Sequence, residues 1–181
     1  TRRLGLQSAL LTGVGDDPVG DFILNFLNNE GVDTSLVATK PGRRSSAVIL
    51  GIEPPDKFPL VFYRDNCADI NLDIDDISKI PFENTNAILI SGTGFSKEPS
   101  RSATLYAAER ASSEGVKVIL DVDYRPDQWA DLRTFGTTIR SVLEHVDIII
   151  GTSEEIKAAA HTGKGKARVT DSQVSNYEVE A

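Results

Sequence analysis

Val116-Lys117-Val118-Ile119-Leu120-Asp121-Val122-Asp123-Tyr124-Arg125-Pro126 reads as a buried strand that turns polar at its carboxyl end. It starts after Gly115 and stops before Pro126, and β-branched residues fill most of its apolar part, the composition expected of a strand rather than a helix. The same grammar recurs outward from it. Upstream, Ala87 to Ile90 is a buried strand leading into Ser91-Gly92-Thr93-Gly94, and Pro99 to Ser113 is a helix whose apolar surface comes from Ala103, Leu105, Tyr106, Ala107 and Ala108. Downstream, Phe135, Ile139, Val142 and Leu143 recur at helical spacing, and Val146 to Ile150 is a strand opening into Gly151-Thr152-Ser153-Glu154-Glu155 and a short helix. Strands and helices that alternate in this way predict an α/β fold with a largely parallel sheet.

The amino-terminal third opens in the same style and then departs from it. Leu6 to Thr12 predicts a strand ending at Gly13. A helix follows, capped by Asp16 or Asp17, with Pro18 in its first turn, Val19, Phe22, Ile23, Phe26 and Leu27 on one face, and Gly31 at its end. Three strands then run without a helix between them, at Ser35 to Thr39, Ser46 to Ile52 and Leu60 to Tyr63. Strands inserted into an alternating pattern are expected to leave the main sheet or lie at its edge, where they can cover a site. From His161 onward the chain is polar, with a period only around residues 169–174.

Composition narrows the function classes. A chain of 181 residues with 40% hydrophobic and 25% charged content fits one globular domain. Nineteen Lys and Arg against 27 Asp and Glu give a net charge of −8, which argues against nucleic acid as a partner while leaving room for a local basic pocket. Cys67 stands alone, so neither an internal disulfide nor a thiolate metal cage is available, and a reducing, cytoplasmic setting is the simplest one. No apolar run approaches membrane-spanning length. His145 and His161 do not have the spacing of a metal pair. The chain opens at Thr1 and contains no Met, so it is expected to begin inside a gene product.

In an open α/β sheet ligands bind beyond the carboxyl ends of the strands, and three such ends are polar here. Ser91-Gly92-Thr93-Gly94 suits close approach of a ligand to the backbone, or simply a loop needing positive φ. Asp121, Asp123 and Arg125, with Trp129 shortly after, offer carboxylates for sugar hydroxyls and a guanidinium for a carboxylate or phosphate. An Asp–Arg salt bridge shaping the loop is the equally simple structural account. Thr152 and Glu155 form a potential capping box, and the same carboxylate suits Mg²⁺ or its waters near a nucleotide phosphate. Tyr63 and Arg64 end the helix-free strands, where they either face a polar ligand or protect an edge. Two tempting motifs fail: Gly13, Gly15 and Gly20 have the wrong spacing for a dinucleotide fingerprint, and Gly163-Lys164-Gly165-Lys166 is not a P-loop. An unrelated α/β oxidoreductase therefore has no nucleotide signature in its favour.

The chain resembles the PfkB or ribokinase family of carbohydrate kinases. The resemblance is carried by Leu4-Gly5, Val14-Gly15-Asp16-Asp17-Pro18-Val19-Gly20, Gly31-Val32-Asp33-Thr34, Phe62-Tyr63-Arg64 with Ala68, and Asp121-Val122-Asp123-Tyr124-Arg125-Pro126 with Trp129. It implies a ribokinase-like fold with a small β lid, formed within residues 35–65, and transfer of the ATP γ-phosphoryl group to a primary hydroxyl of a sugar acid with Mg²⁺. It places Tyr63 and Arg64 against the substrate from the lid side, and Asp123 and Arg125 between substrate and phosphates. Thr152 and Glu155 occupy the family's Asn-x-x-Glu site near phosphate and Mg²⁺, with Thr152 replacing the usual Asn and Glu155 acting on the metal indirectly. The family's catalytic Gly-Ala-Gly-Asp occurs nowhere in these residues, and its early Gly-rich sugar-binding segment is absent too. Residues 1–181 are therefore expected to be a partial domain that does not turn over alone. A non-catalytic sugar-binding relative remains the second reading, and the lid is the expected surface of any homodimer.

Overall fold

The computed structural model describes residues 1–52 and 60–163. The basic stretch after Gly163 and the period around 169–174 lie outside them. Strands β5 (Ala87–Ser91), β6 (Lys117–Asp121) and β7 (Ile148–Ile150) form a parallel sheet in the order β5-β6-β7. Their register sets Ser91 beside Asp121 and Asp121 beside Ile150, so the three carboxyl ends are level. That alignment brings three separate stretches of sequence to one edge.

The connections between these strands are helical, as the alternation predicts. Helix α3 (Ser100–Ser113) buries Ala103, Ala107, Ala108 and Ala111, positions spaced to share one face. Such small side chains let the helix lie close to Val118 and Leu120 of β6. Helix α4 (Leu132–Val142) contributes Phe135, Ile139 and Val142 to the same core, and its N-cap Asp131 accepts from the Thr134 amide at 2.7 Å. The flanking strands are less buried than their composition predicts, because Leu89 and Ile148, Ile149 and Ile150 remain exposed. No described element covers those side chains.

At the amino terminus the boundaries shift. The strand expected at residues 6–12 is reduced to one bridge between Ala9 and Asp33, and the regular strand β1 is Thr12–Gly15. Gly13 is therefore inside the strand, not its stop: a Cβ there would sit 2.3 Å from the Ala68 carbonyl oxygen, so the glycine permits two backbones to pass. Helix α1 (Pro18–Asn29) is capped by Asp17, which accepts from the Gly20 amide at 2.8 Å and from the Ser45 amide at 2.7 Å. Those amides hold the Asp17 carboxyl below the usual range. The apolar stripe of α1 is only half used, since Val19, Phe22 and Phe26 are exposed.

The helix-free strands divide. β2 (Val37–Lys40) pairs in parallel with β1 as an edge strand, whereas β3 (Ala47–Leu50) and β4 (Leu60–Tyr63) form an antiparallel pair of their own. After β4 the chain makes a short helix, α2 (Ile74–Ile77), closed by a reciprocal cap between Asp73 and Asp76. Buried Asp76 pairs with both Lys40 and Lys79, which ties the end of β2 to α2.

Candidate functional site

The site begins where β6 ends. Two residues beyond Asp121, Asp123 has φ near +39°, a left-handed conformation that Asp tolerates better than most residues. The turn is held from below by aromatic packing: Tyr124 and Trp129 are buried, with their rings 4.2 Å and 5.1 Å from that of Phe135 on α4. At Gly92 the loop after β5 lies against the same exit, for a Cβ there would meet the Val122 carbonyl oxygen at 1.9 Å. Here the glycine is required by contact, not by φ.

Polar side chains from all three strand ends join in one network. The Ser91 hydroxyl lies 2.7 Å from that of Thr93 and donates to Asp123 Oδ2 at 3.0 Å. The other Asp123 oxygen pairs with Arg125 Nη2 at 2.5 Å, and Arg125 Nη1 lies 3.6 Å from Glu155 Oε1. Glu155 is the buried N3 residue of helix α5 (Ser153–Ala160), and its Oε2 accepts from the Thr152 amide at 2.8 Å and the Thr152 hydroxyl at 3.1 Å. Thus the ion pair and the capping box that the sequence allows are both formed, and they are linked through Arg125.

Arg64 enters from the other side. Just beyond β4, its Nε pairs with Asp69 Oδ2 at 2.5 Å, while Nη1 donates to the Thr93 carbonyl at 3.0 Å and to the side-chain oxygen of Gln128. Arg64, Asp69, Thr93, Asp123 and Gln128 line a cavity of about 180 Å³ beneath the β3–β4 pair, which contributes Ala47, Val48 and Phe62. That volume is below the range of about 300–1,000 Å³ found for drug-sized sites and suits a small polar ligand.

The structure brings Arg64 and Asp123 to the same cavity and joins Arg125, Thr152 and Glu155 to its rim. Tyr63 is different. It is 57% exposed, and strand alternation sends Phe62 to the cavity in its place. Asp69, Ser91 and Gln128 are additions. Ser91 was legible as a polar strand end, but only tertiary contact with Arg64 reveals Asp69 and Gln128.

Acid groups outnumber cations at the rim. Burial pushes the Asp121 carboxyl above its ordinary range, and the neighbouring carboxylates of Asp123 and Glu155 add to the effect. Among the described residues no three acidic, His or Cys side chains converge as a metal cage. Hard oxygen donors are nevertheless at hand, and they fit a cation held by one or two carboxylates together with phosphate oxygens. Glu155 fits an indirect role best, since its Oε2 is already engaged by Thr152.

Residues 1–176 match the pfkB family carbohydrate kinase. The chain belongs to that family. A 5-dehydro-2-deoxygluconokinase from Geobacillus thermodenitrificans is 39% identical over 154 residues, 84% of this chain and 46% of that protein. One from Bacillus velezensis is 32% identical over 164 residues, 90% and 50% of the two chains. The chain thus spans about half the length of these curated relatives. In fold it is similar to a fructokinase from Xylella fastidiosa, with a TM-score of 0.80 at 20% identity over 88% of this chain and 51% of that one. An uncharacterized sugar kinase from Pyrococcus horikoshii gives 0.76 at 23% over 88% and 54%. These likenesses establish the ribokinase-like architecture expected from the pfkB motifs.

Proposed function

We propose that the intact protein transfers the γ-phosphoryl group of ATP to a primary hydroxyl of a sugar acid, 5-dehydro-2-deoxy-D-gluconate. The observation that carries this reading is the cavity with Arg64 on one side and the Asp123–Arg125–Glu155 network on the other. Phosphoryl transfer asks the protein mainly for alignment and charge neutralisation. Arg64 holds the acid end of the substrate, and Asp123 accepts from a sugar hydroxyl. Arg125, turned between substrate and phosphates, balances charge that grows on the transferred group. Thr152 at the start of α5 fixes Glu155 on the phosphate side, its amide and hydroxyl both donating to that carboxylate. Glu155 orients Arg125 and would face Mg²⁺ indirectly, and the ion, when bound with ATP, would supply charge neutralisation at the phosphate oxygens. The β3–β4 pair acts as the lid and excludes water.

The names of the curated relatives support this substrate. The proton acceptor for the hydroxyl is not among these residues, which contain no Gly-Ala-Gly-Asp. Residues 1–181 alone are therefore expected not to turn over. The test is a coupled ADP-release assay of the intact protein with ATP and Mg²⁺, supplied in turn with 5-dehydro-2-deoxy-D-gluconate, 2-keto-3-deoxygluconate and fructose. The first is expected to give the highest kcat/KM. Equal or better turnover of fructose would overturn the sugar-acid assignment, and binding without any turnover would favour a non-catalytic relative.

A further inference from the structure

We propose that Gln128 is a specificity-determining residue, presenting a fixed amide donor that reads the substrate carboxylate together with the guanidinium of Arg64. This rests on the kinase reading above. Arg64 can only donate, so its bond to Gln128 settles which way the amide faces: the oxygen is turned to Nη1 and the Nε2 hydrogens are left to point elsewhere. Both residues line the cavity, and Nε2 has no acceptor among the described residues.

Arg64 is similarly committed. Nε is taken by Asp69 and Nη1 by Thr93, Ser96 and Gln128. Its Nη2 has no partner among the described residues. The two groups that bond to each other therefore bring unused N–H donors, one neutral and one cationic, to the same wall. Paired donors match the paired oxygens of a carboxylate. A neutral sugar offers hydroxyls there, each with a proton that must also find an acceptor. Asp123 lines the same cavity as an acceptor for a hydroxyl, and the Asp69 carboxylate beside Arg64 is engaged by Nε, which leaves the donors of Nη2 and Gln128 for a ligand.

Position supports the assignment. Gln128 ends the 3-10 turn Pro126–Gln128 and precedes buried Trp129, so its backbone is held on the same aromatic platform as Arg125. It is half-buried, which limits competition from water without closing it to a ligand.

The test uses the intact kinase, with the sugar acid and its neutral counterpart in which a primary alcohol replaces the carboxylate. Gln128→Leu is expected to lower kcat/KM for the acid by about 10- to 100-fold, the worth of one hydrogen bond to a charged group, and for the neutral sugar by no more than about threefold. Gln128→Glu keeps an oxygen against Arg64, and with it the contact that closes the cavity wall. It sets a carboxylate against the ligand's own, so discrimination against the acid is expected to be stronger still. Melting temperatures close to the parent's verify that both variants are folded, and Gln128→Glu carries the test if the Leu variant is not. Equal losses for acid and neutral sugar would overturn the proposal and reduce Gln128 to a support for Arg64. A parent enzyme that phosphorylates only neutral sugars would instead overturn the substrate reading on which the proposal stands.

Discussion

Arg64 lines the cavity and Arg125 borders it through Asp123, and the two are held by opposite means. Arg64, at the end of the hairpin, is fixed by polar contacts to Asp69, Thr93 and Gln128. Arg125 sits on a turn whose neighbours Tyr124 and Trp129 are packed on Phe135, and its charge is spent among carboxylates. A guanidinium held by directional bonds moves when any partner moves. One held through its backbone keeps its place while its partners change protonation. The first arrangement ties Arg64 to the positions of its polar partners, and the second ties Arg125 to the packing beneath its turn.

The sharpest way to break the contrast is Phe135→Ala. It removes the platform under Arg125 and is expected to cost about 4 kcal/mol, as truncation of a fully buried aromatic does. Urea denaturation measures it, and a loss below that of a surface substitution would show that the turn stands without the platform. Next comes Arg64→Ala. Arg64 and Asp69 are only 15% and 16% exposed, and Asp69 Oδ1 is buried without a hydrogen-bond partner among the described residues. Removing the guanidinium leaves that carboxylate uncompensated, at about 3 kcal/mol. Arg64→Lys restores the charge but not the fork, so it is expected to recover only part of the loss on the same denaturation curve.

Thr152→Ala sharpens the comparison from the far end of the network. It removes half of the capping box and is expected to cost about 1 kcal/mol. Because Glu155 then loses a partner, the variant is also expected to alter how Arg125 is held, visible as a shift in the Asp121 titration by NMR. The smallest effect is that of Asp121→Asn. The folded-state pKa of Asp121 is raised, so ionised Asp121 weakens the fold at neutral pH. That penalty is absent below the unfolded-state value near 3.9 and grows as pH rises through the folded-state value. The Asn variant should therefore be the more stable at pH 7 and converge with the parent as pH falls. A constant difference across pH would show that Asp121 does not titrate as described.

Legibility in the sequence followed the range of the interactions. Helices α1, α3 and α4 were readable because their caps and apolar periods are local, and the strand ends at Ser91, Asp121 and Gly151 were readable from polarity after apolar runs. Gly13 misled, since a glycine that stops a strand and one that admits a neighbouring backbone look alike until Ala68 is seen against it. Tyr63 and Phe62 differ by one step of alternation, and the face of a strand is set by its partner sheet and not by its own composition. Gln128 had no local signal at all. It matters only because Arg64, far away in sequence, donates to it.

Asp123 adds a constraint on how such a site can evolve. Its left-handed backbone is comfortable for Asp, Asn or Gly and strained for nearly every other residue. Of these, Asn alone has nearly the same shape as Asp while lacking its charge. One codon change can therefore retune the electrostatics beside Arg125 without rebuilding the loop, whereas most other exchanges at the position have to remake the turn. The backbone thus acts as a filter on mutation, steering the lineage toward changes of charge at constant shape.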